Sequence, residues 1–273
     1  MAVRLIAMDM DGTLLNSRQK LTAANVEALK QAQEKGVKLA ICSGRCTGDS
    51  ALFALENGFE DMAILGLNGG YCLENPRAAA YANHVMRMET AKLCWQLARE
   101  ENVTMGCFLQ NRIAVFEGEK PNSELFWSGD WGGDPLAPVY IEGEEAFWKA
   151  FPDGVNKMVL IDETRDKLPL LQQKLEKLPQ LDVTSSWWNN LELMPRGIEK
   201  GHAVKELAEK LGIAQEEVMA IGDYDNDLGM LRYAGYSVAM ANASENVKNC
   251  ARFSTLSNDE NGVAAAIRRF VLS

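Results

Sequence analysis

The chain has 273 residues, 47 % of them hydrophobic and 24 % charged, with a formal net charge of −10. That length exceeds the common single-domain size of ~100–150 residues and points to a body carrying an inserted second domain. An acidic surface repels phosphate backbones and anionic lipid, and no basic patch offsets it, so neither nucleic acid nor a membrane is an expected partner.

Six cysteines, Cys42, Cys46, Cys72, Cys94, Cys107 and Cys250, form no CxxC pair. Buried reduced thiols are therefore expected rather than a zinc site or a disulfide framework. No apolar run reaches the ~18 residues of a membrane span, and no signal-peptide core of ~7–15 apolar residues precedes the first strand. The expected location is the cytoplasm.

Val3 to Met8 is a short apolar run that reads as a buried strand, and it ends in Asp9-Met10-Asp11-Gly12-Thr13. Thr22 is placed to cap a helix running to Lys35, with Gly36 as its stop. Val37 to Cys42 and Met62 to Leu67 repeat the strand pattern, with a helical stretch to Gly58 between them. They end at Ser43-Gly44-Arg45 and at Asn68-Gly69-Gly70. Strand–helix alternation predicts a Rossmann-like parallel α/β sheet with helices on both faces. Ligands of such sheets bind beyond the carboxyl ends of the strands, so the tips at Asp9, Ser43 and Asn68 are expected to share one site.

Beyond residue 80 the pattern changes. Ala91 to Glu101 reads as a helix, Thr104 to Gln110 and Ile113 to Phe116 as paired strands, and Glu119 to Pro138 as an irregular loop. Met158 to Asp162, a helix over Asp166 to Leu178 and strands across Val183 to Met194 complete an α+β unit, with Pro195 and Gly197 marking the return. From Lys200 the alternation resumes: a helix to Leu211, a buried strand Val218 to Ile221, then Gly222-Asp223-Tyr224-Asp225-Asn226-Asp227 leading into a helix. Residues 1–83 and 197–273 are thus predicted to form one discontinuous domain, and 84–196 an inserted α+β domain.

The two acidic tips carry the chemistry. Asp9 and Asp11, two apart on a strand extension, point the same way, so one can attack and bind metal while the other handles protons; alone, the pair is equally a polar turn. Asp223, Asp225 and Asp227 repel one another unless a cation sits among them, although helix capping accounts for one or two of them. Ser43-Gly44 offers a hydroxyl and backbone N–H groups to an anion, or is a plain turn. Lys200 stands at a helix entry, where the dipole disfavours a cation and a bound phosphate would reverse that cost; a solvated surface lysine is the alternative.

In order and spacing, Asp9-Met10-Asp11-Gly12-Thr13-Leu14, Ser43-Gly44-Arg45, Lys200-Gly201 and Gly222-Asp223-Tyr224-Asp225-Asn226-Asp227 resemble the motifs of the haloacid dehalogenase-like phosphatase superfamily, in its Cof-type (IIB) branch. The resemblance implies Asp9 as nucleophile and Asp11 as general acid/base. It implies Mg²⁺ held by the Asp9 carboxylate, the Asp11 carbonyl and Asp223, with Asp227 in support. Ser43 and Lys200 would hold phosphoryl oxygens, assisted by Asn226 and the Gly12 and Gly44 amides, and Asn68 would face the substrate. The insertion would be the branch's cap, moving on hinges near Asn83–Val85 and Pro195–Gly197. The implied activity is hydrolysis of a small phosphorylated metabolite, a sugar phosphate first and FMN or pyridoxal phosphate next. A phosphomutase on the same fold, or a non-catalytic phospho-acceptor or metal-binding regulator, are the alternatives. Trp127, Trp131, Trp148, Trp187 and Trp188 fall in the insertion; most are expected in its core, with at most one of Trp187 and Trp188 facing substrate because neighbours on a strand point oppositely.

Overall fold

The computed structural model describes residues 2–110, 112–116 and 139–273. The chain divides into two compact units, residues 1–45, 50–82 and 199–273 in the first and residues 46–49 and 83–198 in the second. Each has its own hydrophobic core.

The chain begins with β1 (Leu5–Met8), α1 (Ala23–Glu34), β2 (Lys38–Cys42), α2 (Thr47–Glu56) and β3 (Ala63–Gly66). All four residues of β1 and of β3 are buried, so these strands read as continuous apolar runs instead of alternating ones. Thr22 caps α1 by accepting from the Asn25 N–H. Two strands absent from the sequence reading follow, β4 (Tyr71–Leu73) and β5 (Ala80–Asn83). The β3–β4 connection is too short for a crossover helix, so β4 returns antiparallel and the expected parallel sheet is mixed.

In the second unit, α3 (Met88–Glu100), β6 (Thr104–Leu109) and β7 (Arg112–Phe116) are followed by β8 (Val139–Ile141), α4 (Glu144–Lys149) and β9 (Lys157–Ile161). Then come α5 (Leu168–Leu175), β10 (Leu181–Thr184) and β11 (Asn190–Pro195). The sheet runs β10-β11-β9-β6-β7-β8. One face, with Met105, Cys107, Met158, Leu160, Leu191 and Leu193, packs in one core with apolar residues of α3 and α5. Trp95, which also lies in the insertion, meets Trp148 edge-on at 5.6 Å within this core. Trp187 and Trp188 are 63 % and 51 % exposed. They sit in the turn between β10 and β11, not on a strand, so the alternation by which at most one of them was expected to face substrate does not apply. Trp127, Trp131 and the loop assigned to 119–138 lie outside the described residues.

The chain then re-enters the first unit with α6 (Lys200–Lys210), β12 (Val218–Gly222), α7 (Leu228–Tyr233), β13 (Tyr236–Ala239), α8 (Glu245–Cys250), β14 (Phe253–Ser254) and α9 (Gly262–Ile267). The sheet order is β14-β13-β12-β1-β2-β3-β4-β5, parallel from β14 to β3. α1 packs with α9 and α6 with α7, giving two helix groups that flank the sheet. In register, Met8 pairs with both Ile221 and Ile41, and Cys42 pairs with Leu65. The strand ends that release Asp9, Ser43 and Asp223 are therefore level. The described cysteines are all free, and burial pushes the Cys46, Cys72 and Cys94 thiols up to about 12, which leaves them inert at neutral pH. Among the described residues no helix is long and apolar enough to cross a membrane.

Candidate active site

The site is built from loops of the first unit. Asp9 follows β1 directly and its N–H donates to the Ile221 carbonyl at 3.1 Å, so the chain leaves the sheet still in register with β12. Its carboxylate is buried and accepts from the Lys200 ammonium at 2.5 Å. The same ammonium donates to Asp227 Oδ1 at 2.6 Å, and the lysine is fully buried. The expected cost of a cation at the start of α6 is met inside the protein: two carboxylates take the ammonium, and Glu199 caps the helix by accepting from the N–H groups of Gly201 and His202.

Asp223 follows β12. Its Oδ1 accepts from the Thr13 hydroxyl at 2.6 Å. Asp227 turns its Oδ2 back to the N–H groups of Asp223 and Tyr224, at 2.8 and 3.0 Å, which closes the loop on itself. Ligand oxygens of Asp9, Asp223 and Asp227 lie within 4.8 Å of one another. Asp225 leaves this group; its carboxylate accepts from Ser244 and Asn246, so the middle acid of the run ties down the start of α8 instead of joining the cluster.

Charge explains the behaviour of these groups. Three carboxylates face one ammonium, and with all of them ionised two negative charges remain. Burial pushes the Asp9 carboxyl well above the usual carboxylate range; Lys200 pulls it back, and Asp227 and Asp223 push it further up. Burial, with Asp227 beside it, raises Asp223 to about 7. Burial works against the Lys200 ammonium, but Asp227 and Asp9 outweigh it and hold the ammonium form above its ordinary range. A divalent cation would supply the missing charge, and an all-oxygen donor set suits a hard one. The pocket is also shaped for the carboxylate: a Cβ on Gly12 would lie 2.3 Å from Asp223 Oδ2. The residues present fit a hard divalent ion.

Ser43 is buried at the end of β2 and its Oγ accepts from the Arg45 N–H at 3.2 Å, which leaves its own O–H able to donate. Asn68 is also buried, held in the left-handed region at φ 54° with its N–H on the Ser43 carbonyl at 2.9 Å. Its Oδ1 faces Asn226 Nδ2 at 3.4 Å. Asp11 is exposed, and both of its oxygens accept from the Arg45 guanidinium, at 2.6 and 2.8 Å. Gly12 presents its carbonyl to Asn242 Nδ2 at 2.8 Å. Thr13, Arg45 and Glu199 are the neighbours that the sequence reading left without roles. Thr13 and Arg45 stand inside quoted motifs; Glu199 lies outside the usual Ser, Thr, Asp and Asn caps, so no capping signal marked it.

A parallel core thus brings the acidic tips of two neighbouring strands together with a buried lysine, a site suited to phosphoryl transfer. The chain belongs to the haloacid dehalogenase-like hydrolase family, whose model matches residues 6–267, and it is a phosphatase of that superfamily. Among its relatives is 5-amino-6-(5-phospho-D-ribitylamino)uracil phosphatase YwtE of Bacillus subtilis, 32 % identical over 96 % of each chain. A haloacid dehalogenase-like hydrolase from B. subtilis superposes with TM-score 0.88 at 29 % identity, covering 98 % of this chain and 100 % of that one. Another from Bacteroides thetaiotaomicron gives TM-score 0.81 at 32 % identity, covering 98 % and 99 %.

Proposed function

We propose that the chain is a Mg²⁺-dependent phosphatase that hydrolyses a small sugar phosphate or sugar-alcohol phosphate through an aspartyl-phosphate on Asp9. The observation that carries the reading is the Asp9, Asp223 and Asp227 cluster, with Asp9 and Asp227 buried, held by the Lys200 ammonium. The ribityl phosphate named for the B. subtilis relative supports the substrate class. Residues 84–196, read as a cap domain, are assigned the choice among substrates, and the cytoplasm is the proposed location.

Asp9 attacks phosphorus through Oδ2, which accepts no hydrogen bond among the described residues, while Lys200 steadies Oδ1. As the Asp9–phosphorus bond forms and the ester bond breaks, Asp11 gives its proton to the departing oxygen. Water then attacks phosphorus, Asp11 takes the water's proton, and the bond to Asp9 breaks to release inorganic phosphate. Lys200 has three N–H donors, two of them on carboxylates, so the third is available to a phosphoryl oxygen. The Ser43 hydroxyl, the Asn226 amide and the backbone N–H groups of Gly12 and Gly44 donate to the other oxygens, and Asn68 orients Asn226. Asp9, Asp223 and the Asp11 carbonyl, with Asp227 in support, would hold Mg²⁺, which would supply charge neutralisation at the phosphoryl group.

The test is phosphate release from sugar phosphates, sugar-alcohol phosphates, nucleotides, FMN and pyridoxal phosphate, with Mg²⁺ and with EDTA. Activity is expected only with the metal, and none in Asp9→Asn. Normal turnover by Asp9→Asn refutes the mechanism. Activity that requires a sugar bisphosphate and returns the phosphoryl group to sugar would make the enzyme a mutase.

A further inference from the structure

We infer that Arg45 is a positioning residue: it acts through Asp11, fixing the carboxyl that moves the proton, and Gln19 in turn fixes Arg45. This rests on the role proposed for Asp11 above. Arg45 Nε donates to Asp11 Oδ2 at 2.8 Å and Nη2 donates to Oδ1 at 2.6 Å, a two-point fork. A single hydrogen bond fixes one oxygen, whereas a fork fixes the plane of the carboxyl as well.

Asp11 needs that help. It is exposed, its side chain 47 % accessible, and it is followed by a glycine at φ +80°, so little else in the loop restrains its rotation. The fork itself is anchored on both sides. Nη2 also donates to Gln19 Oε1 at 2.7 Å, and Gln19 stands in a tight turn at φ 57° with its N–H on the Asn16 carbonyl. The Arg45 backbone donates to Ser43 Oγ and accepts from the Leu67 N–H at 2.9 Å. One residue therefore ties the proton-transfer group to the strand tips proposed to hold the phosphoryl group.

Stability is a poor reason for this arrangement, because ion pairs between partly exposed side chains contribute little. Position is a good one. Proton transfer works only within hydrogen-bond reach, and a misplacement of about 1 Å costs on the order of 100-fold. A guanidinium also matches a phosphate dianion, so the competing role is direct contact with the substrate's phosphoryl group.

The leaving group separates the two roles. An alkyl ester needs its departing oxygen protonated, and p-nitrophenolate does not. Wild type, Arg45→Ala, Arg45→Lys, Asp11→Asn and the Asp11→Asn/Arg45→Ala double variant are compared by kcat/KM on p-nitrophenyl phosphate and on the alkyl phosphate turned over fastest in the panel above. Inhibition by orthovanadate is measured alongside. Arg45→Ala is expected to lose roughly 10- to 100-fold on the alkyl ester and under about 3-fold on the aryl ester, with unchanged vanadate inhibition. Arg45→Lys recovers part of the loss, and Arg45→Ala adds under about 2-fold in the Asp11→Asn background, as expected of groups acting as one unit. If Asp11→Asn itself shows no leaving-group bias, the role of Asp11 falls whatever Arg45 does. If Asp11→Asn shows the bias but Arg45→Ala hits both esters equally, multiplies fully on Asp11→Asn or weakens vanadate binding, the positioning inference falls alone. Should Arg45→Ala fail to fold, Arg45→Lys and Gln19→Ala carry the test, with the same bias at smaller size.

Discussion

Gly12→Ala probes the geometry of the acidic cluster while keeping every donor and acceptor, the Gly12 N–H proposed to meet phosphate included. Two costs are expected. A residue with a Cβ at φ +80° sits in left-handed backbone, which costs about 1–2 kcal/mol. The added carbon would also stand 2.3 Å from Asp223 Oδ2 and 2.9 Å from its Cγ, where ordinary contact begins near 3.4 Å, so the carboxylate or the loop must give by about 1 Å. Asp223 has no easy retreat, because its Oδ1 is held by Thr13 and its N–H by Asp227. Overpacking of this kind costs about 1–3 kcal/mol, for a total of about 2–5 kcal/mol. A 1 Å displacement of a cluster acid should lower turnover about 100-fold and raise the Mg²⁺ concentration needed for half activity. Urea midpoints give the first quantity and a Mg²⁺ titration of phosphate release the second. Gly36→Ala is the control: it has φ +81° with nothing within 4 Å, so it carries the backbone cost without the clash. If Gly12→Ala keeps wild-type turnover and Mg²⁺ dependence, or matches Gly36→Ala in every measure, the reasoning from the clash is wrong.

Two further expectations follow from the charge balance. Lys200→Met leaves buried carboxylates without their cation and should destabilise the metal-free protein by about 3–5 kcal/mol in urea, with part of the loss returned by adding Asp9→Asn; a loss under about 1 kcal/mol would contradict it. Asp223 at about 7 and Asp9 raised well above its usual range mean that the folded, metal-free protein keeps protons the unfolded chain releases near 3.8. Its stability should therefore fall as pH rises from about 4 towards 7, and the gain in melting temperature from Mg²⁺ over EDTA should grow across that window. A gain that is flat or shrinking between pH 5 and pH 7 would refute the sign.

What the sequence made legible follows from what leaves a local trace. β1, β3, β12 and, after Lys38, β2 are unbroken buried runs with polar tips, and burial on both faces is what produces that pattern. β4 and β14, with three and two residues, and α4, with six, are too short to show a period. At the site, the sequence order suggests that Asp9, Ser43, Lys200 and Asp223 converge; the strand register brings the ends that release Asp9, Ser43 and Asp223 level, and α6 carries Lys200 to them. It could not separate Asp225 from Asp223 and Asp227, because the choice depends on Ser244 and Asn246 arriving from another loop. The pairing of Arg45 with Asp11 and of Thr13 with Asp223 is likewise a long-range fact that no spacing encodes. Trp187 and Trp188 escaped because a turn does not obey strand alternation.

The place of Lys200 depends on two residues that have no side chain. A Cβ at Gly201 would lie 2.4 Å from the Gly229 backbone, and one at Gly229 would lie 1.6 Å from the Glu199 carboxylate that caps α6. The start of α6 and the start of α7 thus touch main chain to main chain, and the ammonium is aimed by that closeness. In a saturation scan for lost activity, positions 201 and 229 should be as intolerant as the acids they support, although neither could ever meet a substrate atom through a side chain. An annotation scheme that ranks residues by chemical reactivity would overlook them.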